Sequence, residues 1–248
     1  MATAIKNGYA LAHNSMLTPP KLESSNCIVF FDFDNTITHF DVLDDIIKHF
    51  AIDETWMELE QAWENGKIGS KECLEGQLQS IRVTKASLSQ YLSTVKLDSS
   101  FNKLITFLRR KKIKFVIVSD SFTFIIKEIL RHNGIGRVKV FANEVKFQKD
   151  RLIPSFPFFS QECSRCAHCK KKHLLEYPNQ ATIYVGDGLS DICPALCADL
   201  VFAKGSLLEY LRKNDRSCIK FKNMEDIYTF FDQQNTRTEK SDKVFAVA

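Results

Sequence analysis

The stretch DFDNT, Asp32 to Thr36, sets two carboxylates either side of one phenylalanine, directly after the apolar run CIVFF. Side chains alternate faces along an extended chain, so Asp32 and Asp34 would point the same way if a strand ran through them. Two ionised carboxylates side by side repel unless something positive lies between them. Two later apolar runs end in similar fashion: FVIV is followed by Ser119 and Asp120, and TIYVG by Asp187, with Asp191 beyond it. If these ends share one edge, three or four carboxylates meet in one crevice. Hard oxygen ligands of this kind suit magnesium, which keeps waters and commonly binds substrate phosphate as well. Asp32 is then placed to attack an electrophile that the metal also holds, and on phosphorus this gives an aspartyl-phosphate. Asp34 can give a proton to the leaving oxygen and later take one from water.

Phosphoryl transfer also needs positive charge and hydrogen-bond donors around the transferring group. Ser119 and the backbone N–H groups that follow it, beginning with Asp120, are expected to supply donors as helix N-termini do. Thr36 is expected to help orient the site, and with Asn35 to cap the helix that follows. The lysine chosen is Lys170, although the local pattern does not rank Lys171 or Lys172 below it. Ser119, Asp120, Lys170 and Thr36 thus form the expected phosphate-binding set, and Asp32, Asp34, Asp187 and Asp191 the metal set. His39 and Asp41 could face the leaving group or form a solvent-exposed hinge. Strand-end capping accounts for any one of these aspartates alone; their recurrence at successive strand ends argues for a shared site.

These residues need a scaffold that brings strand ends together. CIVFFD (Cys27–Asp32), IKFVIVSD (Ile113–Asp120), ATIYVGD (Ala181–Asp187), ADLVFAK (Ala198–Lys204) and the weaker SCIKF (Ser217–Phe221) alternate with helix-like stretches. The pattern predicts an α/β fold, a Rossmann-like parallel sheet with helices on both faces and ligands beyond the carboxyl ends of the strands. The segment 41–96 reads as a small helical insertion, a lid over the crevice, with Phe50, Trp56 and Trp63 in its own core and breaks at Gly66 and Gly69. Val138–Phe159 reads as a hairpin around QKD. The core is then 26–40 with 97–234, between a flexible leader (1–25) and a flexible tail (235–248).

Composition excludes several classes. Among 248 residues, 44% are apolar, and no run approaches the roughly 20 residues of a membrane-spanning helix. The net charge of +4 has its bases and acids mixed along the chain, too mild for nucleic acid; RRKKIK (Arg109–Lys114) reads as a solvated helix end. The leader lacks the apolar core of a secretory signal, so the eight cysteines are expected as reduced thiols in the cytoplasm. Cys163, Cys166, Cys169, His168 and His173 offer thiolates and imidazoles for zinc within one loop, but a second Cys-x-x-C pair at the usual distance is missing. Cys193 and Cys197, one helical turn apart, are expected to be buried.

In order and spacing, DFDNT, the lone Ser119 after FVIV, Lys170 and GDGLSD resemble the four motifs of the haloacid dehalogenase-like phosphatase superfamily, over roughly Cys27 to Leu211. The resemblance implies that Asp32 is the nucleophile, Asp34 the acid/base, and Ser119 and Lys170 the phosphate binders. It implies Mg2+ held by Asp32, Asp187 and the backbone carbonyl of Asp34, with Asp191 on the metal side, and it makes the insertion a helical C1 cap. VSDSFTFII, ANEVKF, the cysteine-rich run ending in CK and VGDGLSDICPA place the likeness in the phosphoserine phosphatase-like branch. There they are similar to methionine-salvage phosphatases acting on 2-hydroxy-3-keto-5-methylthiopentenyl-1-phosphate. SDS, CKK and GDGLSDICP also resemble phosphoethanolamine/phosphocholine phosphatases, whose acidic residue after the first motif corresponds to Asp41 or Asp44. Phosphoserine phosphatases have glycines where Asp120 and Ser121 stand, which argues against phosphoserine. The implied function is hydrolysis of a small phosphorylated metabolite, with the enol phosphate, phosphoethanolamine/phosphocholine or pyrophosphate as substrates. A phosphotransferase or mutase would use the same core, and a non-catalytic phosphometabolite-binding module is the alternative class.

Overall fold

A computed structural model describes residues 26–161, 163 and 165–245, with side chains as far as 234; the leader expected over 1–25 lies outside the described residues. β1 (Cys27–Phe31) is entirely buried. Its alternation divides it between two apolar cores: Cys27, Val29 and Phe31 join one, Ile28 and Phe30 the other. A strand apolar on both faces needs cover on both faces, which the helices provide.

The insertion follows as α1 (Val42–Phe50), α2 (Thr55–Glu64), α3 (Ser70–Gln79) and α4 (Lys85–Leu92). The chain leaves and re-enters the core side by side, with Thr38 bridged to Leu97 and Asp98 N–H donating to the Ile37 carbonyl. α2 packs on α3, α3 leans on β4, and α4 lies against α6 of the core. Then come α5 (Phe101–Arg110), β2 (Lys114–Phe122), α6 (Thr123–His132), the hairpin β3 (Lys139–Gln148) and β4 (Arg151–Ser155), and α7 (Lys170–Leu175). β5 (Ala181–Gly186), α8 (Ile192–Ala195), β6 (Leu200–Ala203), α9 (Gly205–Lys213), β7 (Ile219–Lys220) and α10 (Met224–Phe245) complete the chain.

The seven strands form one sheet in the order β4-β3-β2-β1-β5-β6-β7, parallel except for β4. The α/β architecture is the one the sequence predicts. From central β1 the chain goes first to β2 on one side and later to β5 on the other, so a crevice opens at the carboxyl ends of these three strands. Pro154 sits in the edge strand β4, where its missing N–H breaks no ladder. No helix among the described residues is long and apolar enough to cross a membrane.

Some boundaries differ from expectation. β2 runs on through Ser119 to Phe122, with a register shift against β3 between Val118 and Phe122. Ser119 therefore lies in an irregular strand end, and the helix starts only at Thr123. Asn35 and Thr36 cap no helix: Asn35 takes a left-handed turn (φ 52°), and Asp41 caps α1 by accepting from Asp44 N–H. α10 continues into the stretch read as a tail, which contains no Gly or Pro before Phe245 to break it. Cys193 and Cys197 are exposed, because α8 is one short turn at the surface.

Gly205, which opens α9, has φ 52°, and a Cβ there would stand 2.9 Å from the Asp187 carbonyl oxygen. Gly205→Ala is expected to cost about 1–3 kcal/mol of stability, read as a lowered Tm.

Candidate active site

The crevice is built around one ammonium group. Lys170, the first residue of α7, is 3% exposed. Its Nζ donates to Asp32 Oδ1 at 2.6 Å, to Asp191 Oδ1 at 2.8 Å and to Ser190 Oγ at 3.1 Å, and stands 3.9 Å from Asp120 Oδ2. Lys171 and Lys172 point elsewhere on α7 and do not line the pocket. Asp32 follows β1 directly, its N–H still paired with the Val185 carbonyl of β5 at 2.9 Å.

Asp191 receives four further or shared donations that saturate it: Lys170 and the Tyr184 hydroxyl (2.6 Å) on Oδ1, and the N–H groups of Asp187 (2.9 Å) and Gly188 (3.0 Å) on Oδ2. Gly186 makes this possible, since a Cβ there would fall 2.5 Å from Asp191 Oδ2. Asp187 is fixed by the Thr36 hydroxyl, which donates to its Oδ1 at 2.8 Å. Thr36 thus spends its hydroxyl on a carboxylate and does not line the pocket, contrary to its expected place in the phosphate-binding set.

Asp32, Asp187 and Asp191 bring ligand oxygens within 4.8 Å of one another. The Asp34 carboxylate is outside this group; its Oδ1 accepts from Val42 N–H at 2.9 Å, which turns it toward the insertion. Among the described residues no comparable group forms from Cys163, Cys166, Cys169, His168 and His173, so the zinc geometry considered for that loop is not assembled.

Ser119 is buried, lines the pocket and accepts from Ser121 N–H at 3.0 Å, leaving its own O–H free to donate. The Asp120 carboxylate is not a phosphate donor. It accepts from His168 N–H at 3.0 Å and adds negative charge beside Lys170. Asp41 lines the pocket, whereas exposed His39 does not. Trp63, expected in the insertion core, lines the pocket instead, its indole N–H donating to Ser70 Oγ at 2.9 Å. The Ser70 hydroxyl and N–H both donate to the Arg165 carbonyl, at 2.8 and 2.9 Å, tying the insertion to the loop before Lys170. The cavity encloses about 200 Å³. Tyr184 and Glu60 escape sequence reading because no motif or spacing marks them; Ser190 lies within GDGLSD without a role assigned to it, and only packing brings these residues and Trp63 to the site.

A family described as "Putative Phosphatase" matches residues 27–220. The chain belongs to this family. It is 27% identical over 205 residues, 80% of this chain and 93% of the relative, to 2-hydroxy-3-keto-5-methylthiopentenyl-1-phosphate phosphatase of Bacillus cereus. Its fold is similar to a substrate-bound phosphoserine phosphatase (TM-score 0.63, 18% identity, 82% of this chain and 97% of that one). It is likewise similar to the probable phosphoserine phosphatase of Vibrio cholerae (TM-score 0.68, 17% identity, 88% and 68%). The likeness to these two structures is one of fold, the α/β core described above.

The electrostatics of this crevice leave carboxylates in excess. Burial, then Asp191, pushes Asp32 well above the usual carboxylate range despite Lys170. Burial, then Asp41, does the same to Asp34. Burial, then Asp191, lifts Asp187 to about 6, and burial, then Asp44, lifts Asp41 to about 6. Burial alone would lower Lys170, but Asp191 and Asp32 outweigh it and hold the ammonium above its ordinary value. A divalent cation beside Asp32 and Asp187 is what this surplus fits.

A raised carboxyl pKa means that the folded chain binds the proton more tightly than the unfolded one. Without metal, the Asp187 and Asp41 contribution should therefore improve as pH falls from about 7 toward 4. Added divalent cation competes with those protons. Its thermal stabilisation is expected to be largest near pH 7.5 and to shrink below about pH 6, as measured by Tm at several magnesium concentrations.

Proposed function

We propose that this phosphatase is magnesium-dependent and hydrolyses a small phosphomonoester in the cytoplasm through a phosphorylated Asp32. The observation that carries the reading is the division of labour between two carboxylates two residues apart. Asp32 is clamped by Lys170 on Oδ1, which leaves Oδ2 for attack; Asp34, turned the other way, is held protonated by burial. Mg2+, held by Asp32 and Asp187, would offset charge on the phosphoryl oxygens and keep Asp32 ionised. Asp32 attacks phosphorus while Asp34 passes its proton to the departing alcohol oxygen. Asp34, now ionised, takes a proton from water; the resulting hydroxide displaces Asp32 and gives inorganic phosphate. Lys170 and the Ser119 hydroxyl are placed to hold the phosphoryl oxygens. The eight free thiols fit a reducing compartment.

Two leaving groups suit the far wall of the pocket. Leu43, Leu74, Cys73 and Trp63 offer apolar surface for a methylthio chain such as that of the relatives' enol phosphate. Asp41, Asp44 and Glu60 line the same wall, and among the described residues Lys170 is the only basic one that lines the pocket. This acidic wall favours an alcohol bearing an ammonium group, as in phosphoethanolamine or phosphocholine, and disfavours pyrophosphate and the carboxylate of phosphoserine.

Phosphate release from these esters, with and without magnesium, tests the reading. Asp32→Asn is expected to abolish turnover, and Asp34→Asn to lower kcat by about 10²–10⁴. Full activity in Asp32→Asn would overturn the nucleophile. Asp44→Asn or Glu60→Gln should lower kcat/KM for an ammonium-bearing ester by about tenfold while leaving the enol phosphate unaffected.

A further inference from the structure

Beside the catalytic crevice two imidazoles are buried together. His168 and His173 are each 1% exposed, and their Nε2 atoms lie 2.8 Å apart. Aromatic rings enclose them: Phe141 stacks on His173 at 4.1 Å, and Phe158 meets His168 and His173 at 4.8 and 4.7 Å. Neither Nδ1 has a hydrogen-bond partner, and Glu176 Oε1 stops 3.7 Å short of that of His173. An apolar pair would fill this space without leaving two buried nitrogens unpaired, so packing alone does not account for it.

Its location gives the pair a use. His168 N–H donates to Asp120 Oδ1, and the His168 carbonyl accepts from Lys170 N–H, both at 3.0 Å. His173 lies one turn after Lys170 on α7, a helix of six residues with no side-chain cap. The short helix that aims Lys170 is thus fixed at both ends of one turn by the imidazole contact. An Nε2···Nε2 contact holds a single proton, so one ring must be the Nε2–H tautomer and the other the Nδ1–H tautomer.

We propose that His168 and His173 are positioning residues for Lys170, a neutral, proton-sharing pair that fixes α7 so that the ammonium reaches Asp32 and Asp191. The inference rests on the phosphatase reading given above. The charged groups facing the pair are Glu176, Lys139, Lys170 and Asp120. Burial, then His173 and Lys170, pushes His168 down to about 2; burial also lowers His173, with Glu176 opposing and Lys139 adding to the effect. Unfolded histidine takes its proton near pH 6.5, so the stability the pair contributes is complete above that pH and is lost as the pH falls.

The test has two arms. Nitrogen-15 spectra of the full chain should show two buried rings in opposite tautomers, neither titrating between pH 5 and 8. Two rings of the same tautomer, or either titrating near 6.5, would overturn the pair whether or not the protein turns over any ester. In the second arm, His173→Leu should lower kcat about tenfold or more with KM nearly unchanged, at a temperature where its melting curve shows it folded. His173→Gln, whose amide can donate to His168 Nε2, should recover most of kcat. Adding His168→Phe to His173→Leu should cost little more, because the pair acts as a unit. Unchanged kcat in folded His173→Leu, or equal losses in the Leu and Gln variants, would refute the positioning role. If His173→Leu does not fold, the Gln variant and the spectra decide.

Discussion

A lysine ammonium placed between two buried carboxylates is the interaction on which the rest of this site depends. Asp32 and Asp191 belong to neighbouring strand ends, and with both buried their repulsion would separate β1 from β5 at the functional edge. Lys170 reverses that sign, and the Tyr184 hydroxyl and two backbone N–H groups complete the hydrogen bonding of Asp191. The arrangement tolerates little change in volume, which is why a glycine, Gly186, stands behind the Asp191 carboxylate. A charge cluster at this depth persists only when nearly every lone pair has a donor.

What Lys170 does not neutralise defines the chemistry. Burial and neighbouring carboxylates raise Asp32, Asp187 and Asp34 alike above the usual carboxylate range, so negative charge facing the pocket is in surplus. One pair of residues in a five-residue motif thus acquires different surroundings, one against an ammonium and the other against the backbone of α1, and the proposed mechanism rests on that difference. The insertion contributes a third kind of surface. Its wall mixes apolar side chains with carboxylates and is tied, through Ser70, to the carbonyl of Arg165 in the loop before Lys170. The wall of the insertion and the loop that carries Lys170 are therefore mechanically linked.

The sequence by itself determined the α/β class, because apolar runs of strand length alternating with helical segments can be buried on both faces in few other ways. It also pointed to Asp32, Asp34, Ser119, Asp187 and Asp191 as neighbours in one crevice, since polar residues recurring just past strand ends converge in any parallel sheet. Tertiary structure alone decided what each does with its hydrogen bonds. Thr36 serves Asp187 and not the phosphate; Asp120 binds a backbone N–H; Asp191 is saturated by protein donors. It alone distinguished Lys170 from Lys171 and Lys172, because a helix only six residues long aims each of three consecutive lysines differently. It alone assigned Trp63 and Glu60 to the pocket, and paired His168 with His173, because contacts between distant segments leave no periodicity in the chain. Local pattern encodes which face or end of an element a residue occupies; the partner waiting there is set by how the elements pack.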